Sequence, residues 1–476
     1  MVSRRSFLTR TAAAGLIASS DALAAASKAA IPESTYIELL RLPDTVAAFS
    51  GLDRAIALAR SGQQFSSKDV VVGINVTENE CAISLTAPTT ALTHVRLRWQ
   101  ARVNAELRFL GDHWERSYGD LGWRVMTPER VLPWYFASYD EKSLHGYGVK
   151  TAPRALCFWQ VDPEGVSLWL DVSNGGNGVQ LGSRELAAAT VISRRGATDE
   201  QPLAALRAFC RRMCPKPVLP KGAIYGGNDW YTAYGNNSQE MLLRIADLMA
   251  DVSPAQGDRP FTVVDMGWKE QSPAFPSMAA YAEQVRKRKV RPGIWIRPLE
   301  APPGASERLL LPTQRYGQRK ERFSEIAFDP TIPEALELVR QKVRQPADWK
   351  FELVKHDFST YDLFGQWGFE MGAQPTLPGW NFSDRSRTNA EIVLDFYRML
   401  RETLGEAILI LGCNTIGHLS AGIFEAQRTG DDTAAASGSA RAAWESTRSR
   451  TDCRSTVRSF ISTPIALALP GQFRGS

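Results

Sequence analysis

The residues best able to do chemistry in this 476-residue chain are carboxylates that follow short apolar runs. Asp357 follows Phe351-Glu352-Leu353-Val354 through Lys355-His356, and Asp431-Asp432 follow Ile423-Phe424-Glu425-Ala426 through Arg428-Thr429-Gly430. Two carboxyls about 5–5.5 Å apart, one ionised and one protonated, can cleave a glycosidic bond with retention, one as nucleophile and the other as acid. Lys355 favours the ionised form of Asp357, while the adjacency of Asp431 and Asp432 raises the pKa of one of that pair. Either position alone reads as a helix cap or the start of a loop, and it is the matched placement of both that points to chemistry. Four more polar positions obey the same rule: Asp229-Trp230 after Ile224-Tyr225-Gly226, Asp265 after Phe261-Thr262-Val263-Val264, Arg297 after Pro292-Gly293-Ile294-Trp295-Ile296, and Asn414 after Ile408-Leu409-Ile410-Leu411.

Such a set can converge only if the runs are parallel strands with their C-terminal ends on one face. The runs alternate with helical stretches at 240–250, 279–289, 333–343 and 389–404, which predicts a (β/α)8 TIM-type barrel over 222–476. Strands four and six of a barrel are next-but-one neighbours, so their ends face each other across its mouth. Upstream the rhythm is different. Val70-Val71-Val72-Gly73-Ile74, Cys81-Ala82-Ile83-Ser84-Leu85, His94-Val95-Arg96-Leu97-Arg98-Trp99, Leu107-Arg108-Phe109-Leu110, Ala155-Leu156-Cys157-Phe158-Trp159 and Val166-Ser167-Leu168-Trp169-Leu170 predict an antiparallel β-sandwich over 31–214. A helix is expected at 201–212. Pro215, Pro217 and Pro220 then make 215–221 a stiff linker. The fold class expected is thus multidomain, β followed by α/β.

With 44% hydrophobic and 22% charged residues, the composition is that of a globular protein and not of a disordered or coiled-coil chain. The net charge of +5 sits at the ends: residues 1–28 carry +3 and 433–476 carry +4, so the chain between is at −2. No broad basic surface remains for a phosphate backbone, which argues against nucleic-acid partners. Ser3-Arg4-Arg5-Ser6-Phe7-Leu8, an alanine-rich apolar run and Ala22-Leu23-Ala24 resemble a twin-arginine export signal over 1–28, which implies a periplasmic or secreted protein. That run is shorter than a membrane span, and no later stretch is long enough for one. The six scattered cysteines read as mostly free thiols, and five histidines give no zinc ligand set, so neither a metal nor another cofactor is expected. Gly176-Asn177-Gly178 lacks the third glycine of a dinucleotide loop, and His418-Leu419-Ser420-Ala421-Gly422 lacks the first glycine of a nucleophile elbow. The polar, aromatic stretch from Asp112 to Asp120 could reach the barrel mouth from outside, but the sequence assigns it no role.

Gly-Gly-Asn-Asp-Trp-Tyr (226–231), Val-Val-Asp-Met-Gly-Trp (263–268), Gly-Ile-Trp-Ile-Arg-Pro (293–298), Val-Lys-His-Asp (354–357), Cys-Asn (413–414) and Arg-Thr-Gly-Asp-Asp (428–432), in that order, resemble the clan-D α-galactosidases of glycoside hydrolase families 27 and 36. Family 36, with a β-sandwich ahead of its barrel, is the nearer. The resemblance covers about residues 70–432. It implies Asp357 as nucleophile and Asp432, four residues after Arg428, as acid/base. It further implies a sugar-binding wall of Asp229, Trp230, Asp265, Trp268, Trp295, Arg297, Lys355, Asn414 and Arg428, and a glycoside or oligosaccharide as the partner. Met266 departs from the pattern, because the family usually places a second carboxylate there to hold the sugar's O4 and O6, and a thioether cannot replace a charge-assisted acceptor. A related α-glycosidase or transglycosidase for another pyranoside is therefore the alternative within enzymes.

Only 44 residues follow Asp432, with eight Ser, eight Ala, six Arg and no Lys among them. That is short for the helix and two strands still needed to close a barrel. The expectation is an atypical tail at 433–476 and a truncated or frame-shifted barrel that does not close. A catalytically silent carbohydrate-binding protein is the reading that this tail favours outside the enzymes.

Overall fold

A computed structural model describes residues 35–430, apart from Leu52, Tyr118, Ala255 and residues 320–325. The stretch read as an export signal, Asp431, Asp432 and the tail at 433–476 lie outside the described residues. The chain forms a multidomain β plus α/β molecule: antiparallel sheets first, a parallel sheet with helices second.

The antiparallel part holds two sheets. One has six strands in the order Leu132–Pro133, Leu156–Asp162, Gly165–Asp171, His94–Gln100, Thr45–Phe49, Ala55–Ala57. The other has nine, in the order Ala59–Ser61, Gln64–Ser67, Val70–Val76, Cys81–Thr86, Leu186–Arg194, Leu144–Val149, Tyr135–Tyr139, Arg108–Gly111, Arg124–Val125. Period-two burial along Cys81–Thr86 gives that strand one buried and one half-buried face, as expected of an antiparallel sheet solvated on one side. The sheets meet through aromatic side chains, with Phe136 of the larger sheet edge-on to Trp159 of the smaller at 5.7 Å. Leu144–Val149 is buried on both faces because the helix Pro202–Met213 lies across it. Gly146 permits that approach, since a Cβ there would stand 2.4 Å from the Phe209 ring.

No regular element occupies 215–221. Beyond it, six parallel strands pair in strict sequence order: Gly226–Asn228, Phe261–Val264, Arg291–Ile296, Leu353–His356, Leu409–Gly412 and Ala426–Gln427. They are called the first to sixth parallel strands below. The crossovers carry the helices Gln239–Val252, Met278–Lys287, Pro333–Asp348 and Asn389–Leu404, with short turns of helix at Trp230–Ala233, Ser359–Phe364 and Gly417–Ser420. Side-chain oxygens of Ser238, Ser277 and Thr388 accept amides of the first turn and fix three of the starts. Among the described residues the sheet ends at the sixth strand, and no helix there is long and apolar enough to cross a membrane. The described cysteines are buried free thiols.

Candidate active site

Side chains alternate across a strand, and in the parallel sheet this separates two environments. Thr262, Val264, Ile294, Ile296, Val354 and Ile410 occupy one set of positions, and the five aliphatic residues among them join the main core. On the opposite set, Phe261, Val263, Leu353, Leu409 and Leu411 form a small separate apolar cluster. Continuing that second set toward the strand ends gives Asp265, Trp295, Lys355 and Asp357. The site therefore begins where this inner cluster ends, and strand periodicity brings its members together.

Asp357 is 5% exposed, yet both of its oxygens are engaged. Oδ2 accepts from Trp295 Nε1 at 2.9 Å, while Oδ1 accepts from the Phe358 amide at 2.7 Å, Asn414 Nδ2 at 2.7 Å and the Asn414 amide at 3.2 Å. Burial pushes this carboxyl up, but the Lys355 ammonium, the Trp295 N–H, the Arg428 guanidinium and the Phe358 amide outweigh it. The net effect holds Asp357 below the ordinary carboxylate range. Phe358, the residue that turns the chain into the 359–364 helix, has φ 67°, a left-handed conformation uncommon for a bulky side chain and of the kind that clusters at functional sites.

Around Asp357 the network continues. Lys355 Nζ donates to Asp265 Oδ2 at 2.7 Å, and Asn228 Nδ2 donates to the same oxygen at 2.5 Å. Burial pulls the ammonium down, but Cys413, Asp265 and Asp357 outweigh it, so Lys355 stays charged well above the usual lysine range. Arg428 Nη2 donates to Asn414 Oδ1 at 2.9 Å, which orients the amide that holds Asp357. Of the sequence-derived residues, Trp295, Asp357, Asn414 and Arg428 thus share one hydrogen-bonded network, and the Lys355–Asp265 pair beside it is coupled to Asp357 by charge.

The others stand apart or serve the frame. Asp229 accepts the Asp265 amide at 2.6 Å and Asn237 Nδ2 at 2.8 Å, so both of its oxygens brace the turn after the second strand, and burial raises its pKa. Arg297 forms a buried pair with Asp362, at 2.5 Å for the shortest contact, and lies over the Phe358 ring. Trp268 donates to the Trp295 carbonyl and meets Trp349 edge-on. Trp230 is half-buried on its short helix, tilted against Tyr234 at 5.8 Å. Met266 is half-buried and packs against the cluster of Trp295, Tyr316, Phe358 and Tyr361. Sequence reading did not single out Asn228 or Asn237, although both are amides close to the first strand's end. Nor did it find Asp362, which no local pattern marks.

No family model matches the chain, and no curated protein matches it. Solved structures do. An α-galactosidase from Thermus thermophilus in complex with stachyose aligns over 76% of each chain at 19% identity and a TM-score of 0.51. The family 36 α-galactosidase of Geobacillus stearothermophilus aligns over 88% of this chain and 64% of its own, at 13% identity and a TM-score of 0.53. The α-galactosidase of Lactobacillus brevis aligns over 84% and 61%, at 14% identity and a TM-score of 0.50. The fold is that of the family 36 α-galactosidases. Within that fold the resemblance read from six short motifs and the resemblance read from backbone geometry agree.

Proposed function

We propose that this chain is a retaining α-glycosidase that hydrolyses terminal α-galactosides or a closely related α-pyranoside. The observation that carries the reading is Asp357: a carboxylate at the end of the fourth parallel strand, kept ionised against its burial by the donors and positive charges around it, in the family 36 fold. The six parallel strands are taken as the first six of a (β/α)8 barrel, and the two antiparallel sheets as the sandwich that precedes it. Asp357 attacks the anomeric carbon as the bond to the leaving oxygen breaks, and Asp432 supplies that oxygen's proton. Water then attacks the glycosyl ester, Asp432 takes its proton, and the Asp357 carboxylate leaves. No cofactor enters this scheme. The Thermus and Geobacillus enzymes, solved with stachyose and with raffinose, support an oligosaccharide as the substrate class.

A second reading, a different pyranoside, is favoured by Met266, which offers an apolar surface beside Asp265 where a hydroxyl acceptor is wanted. One experiment separates these readings. The protein is incubated with α-galactosyl fluoride carrying fluorine at C2, and with the corresponding glucosyl and xylosyl fluorides, then weighed intact and peptide-mapped. A single galactosyl adduct on Asp357 is the expected result. An adduct from another sugar alone moves the specificity, and folded protein that takes no adduct overturns the reading.

A further inference from the structure

Of the stretch from Asp112 to Asp120, left without a role by the sequence, residues 112–117 reach the parallel part and are buried apart from the half-buried His113. Trp114 donates its indole N–H to the Gly372 carbonyl at 3.0 Å, the Arg116 carbonyl accepts the Gly430 amide at 3.1 Å, and the Ser117 hydroxyl accepts Arg428 Nε at 2.9 Å. Arg116 is itself locked in a buried two-bond pair with Asp112. Among these residues stands Glu115, 0% exposed. Its Oε2 accepts the Gly368 amide at 3.0 Å, whereas Oε1 is buried with no hydrogen-bond partner. A Cβ on Gly368 would lie 2.4 Å from Glu115 Cβ and Cγ, so only glycine lets the 368 backbone come this close to the Glu115 stem. The charged or titratable groups facing it are Asp357, Arg428 and Tyr397, with the Thr360 hydroxyl beside it.

A carboxyl sealed in this way cannot touch a bound glycoside, so whatever it does passes through its neighbours. Those neighbours form a chain of three hydrogen bonds, from Ser117 to Arg428, from Arg428 to Asn414 and from Asn414 to Asp357. We propose that Glu115 is a positioning residue for Asp357. As a neutral acid it leaves Arg428 to Asn414 and the charge of Asp357 unopposed; as a carboxylate it draws on Arg428 and repels Asp357. The inference rests on the glycosidase reading above. Burial pushes Glu115 up to about 7 against Thr360, the Gly368 amide and Arg428, with Asp357 adding to the rise, so the neutral form prevails in mild acid.

The test is kcat and KM for p-nitrophenyl α-galactoside from pH 5 to 8, on the full chain, on Glu115→Gln and on Ser117→Ala, with the Tm of each. Glutamine still accepts the Gly368 amide but cannot ionise. The kcat/KM of Glu115→Gln relative to the parent is expected to rise about three- to tenfold between pH 6 and pH 8, because the parent alone loses its neutral form across that range. Taking the ratio cancels any limb due to the acid/base residue, which both proteins share. Ser117→Ala is expected to lower kcat about tenfold at every pH with KM little changed, as Arg428 loses an anchor. A ratio flat with pH in an active parent overturns the role of Glu115 alone. If Glu115→Gln does not fold, an unchanged kcat in Ser117→Ala overturns it. A folded parent inactive on a panel of α-glycosides overturns the glycosidase reading, and this proposal with it.

Discussion

Donors from the third parallel strand, from Asn414 beyond the fifth and from its own following amide converge on Asp357, and the positive charge that favours its ionised form most stands two residues before it. Lys355→Met removes that charge, so the acid limb of kcat/KM is expected to move up by about one pH unit or more. The same change leaves Asp265 buried without its ammonium partner, which is destabilising by about 3–5 kcal/mol. Adding Asp265→Asn restores Tm but not the acid limb, and a single variant whose pH profile matches the parent's refutes the role given to Lys355. At this scale much of the site was legible, because Asp265, Lys355, Asp357 and Asn414 stand at strand ends whose apolar runs are visible in the sequence. Glu115 and Asp362 were not legible in role, since each depends on a partner that only packing supplies: Gly368 for one and Arg297 for the other.

Among the elements, the helix Asn389–Leu404 ties the two parts together. Thr388 accepts the Glu391 amide, the Glu391 carboxylate accepts the Thr388 amide, and Arg184 of the antiparallel part pairs with Glu391 at 2.6 Å. Thr388 also donates to the Arg154 carbonyl at 2.6 Å. Thr388→Ala therefore removes a cap and an interdomain hydrogen bond at once. It is expected to cost about 2 kcal/mol and lower Tm by roughly 4–8 °C, with secondary structure retained by circular dichroism. A Tm within 1 °C of the parent's, roughly the scatter of an ordinary surface change, counts against this account. The Thr388–Glu391 cap is a finding of the structure, but the helix was read in the sequence as the stretch 389–404 between two apolar runs, and Phe261–Val264 as one of those runs. Leu144–Val149 was not, because Gly146 and Gly148 interrupt the strand signal that a β-branched run would give. Gly146 gives way to Phe209 of the helix above it, and at Gly148 Tyr135 of the neighbouring strand takes the space a side chain would need, with Met213 and Phe209 close behind.

For the whole molecule, pH acts through groups buried neutral. His356 and His418 are both sealed, one edge-on to Phe396, Tyr397 and Phe424, the other stacked at 4.8 Å on Trp134 of the antiparallel part. Burial pulls each ring down to about 3, with Arg116 also opposing charge on His418. Below the unfolded histidine value of about 6.5, the unfolded chain binds protons that the folded chain refuses. Stability is thus lost as pH falls from about 6.5 toward 3, by up to tenfold in the folding constant per pH unit for each ring. Glu115 acts the other way: its folded value of about 7 lies above the unfolded carboxyl's, so its burial costs stability as pH rises from about 4.5 to 7. Over the shared window the two rings outweigh Glu115; His94, His113 and His145, also pulled down by burial, add to the loss in acid, against the raised carboxyls of Asp112, Asp229 and Asp362. Because His418 bridges the two parts, its protonation opposes their contact in particular. His418→Phe keeps the stack on Trp134 and removes the proton site, so the drop in Tm between pH 7 and pH 5 should be smaller than in the parent. Parallel Tm curves for the two proteins would mean that acid acts elsewhere and that the contact between the parts tolerates a charged ring.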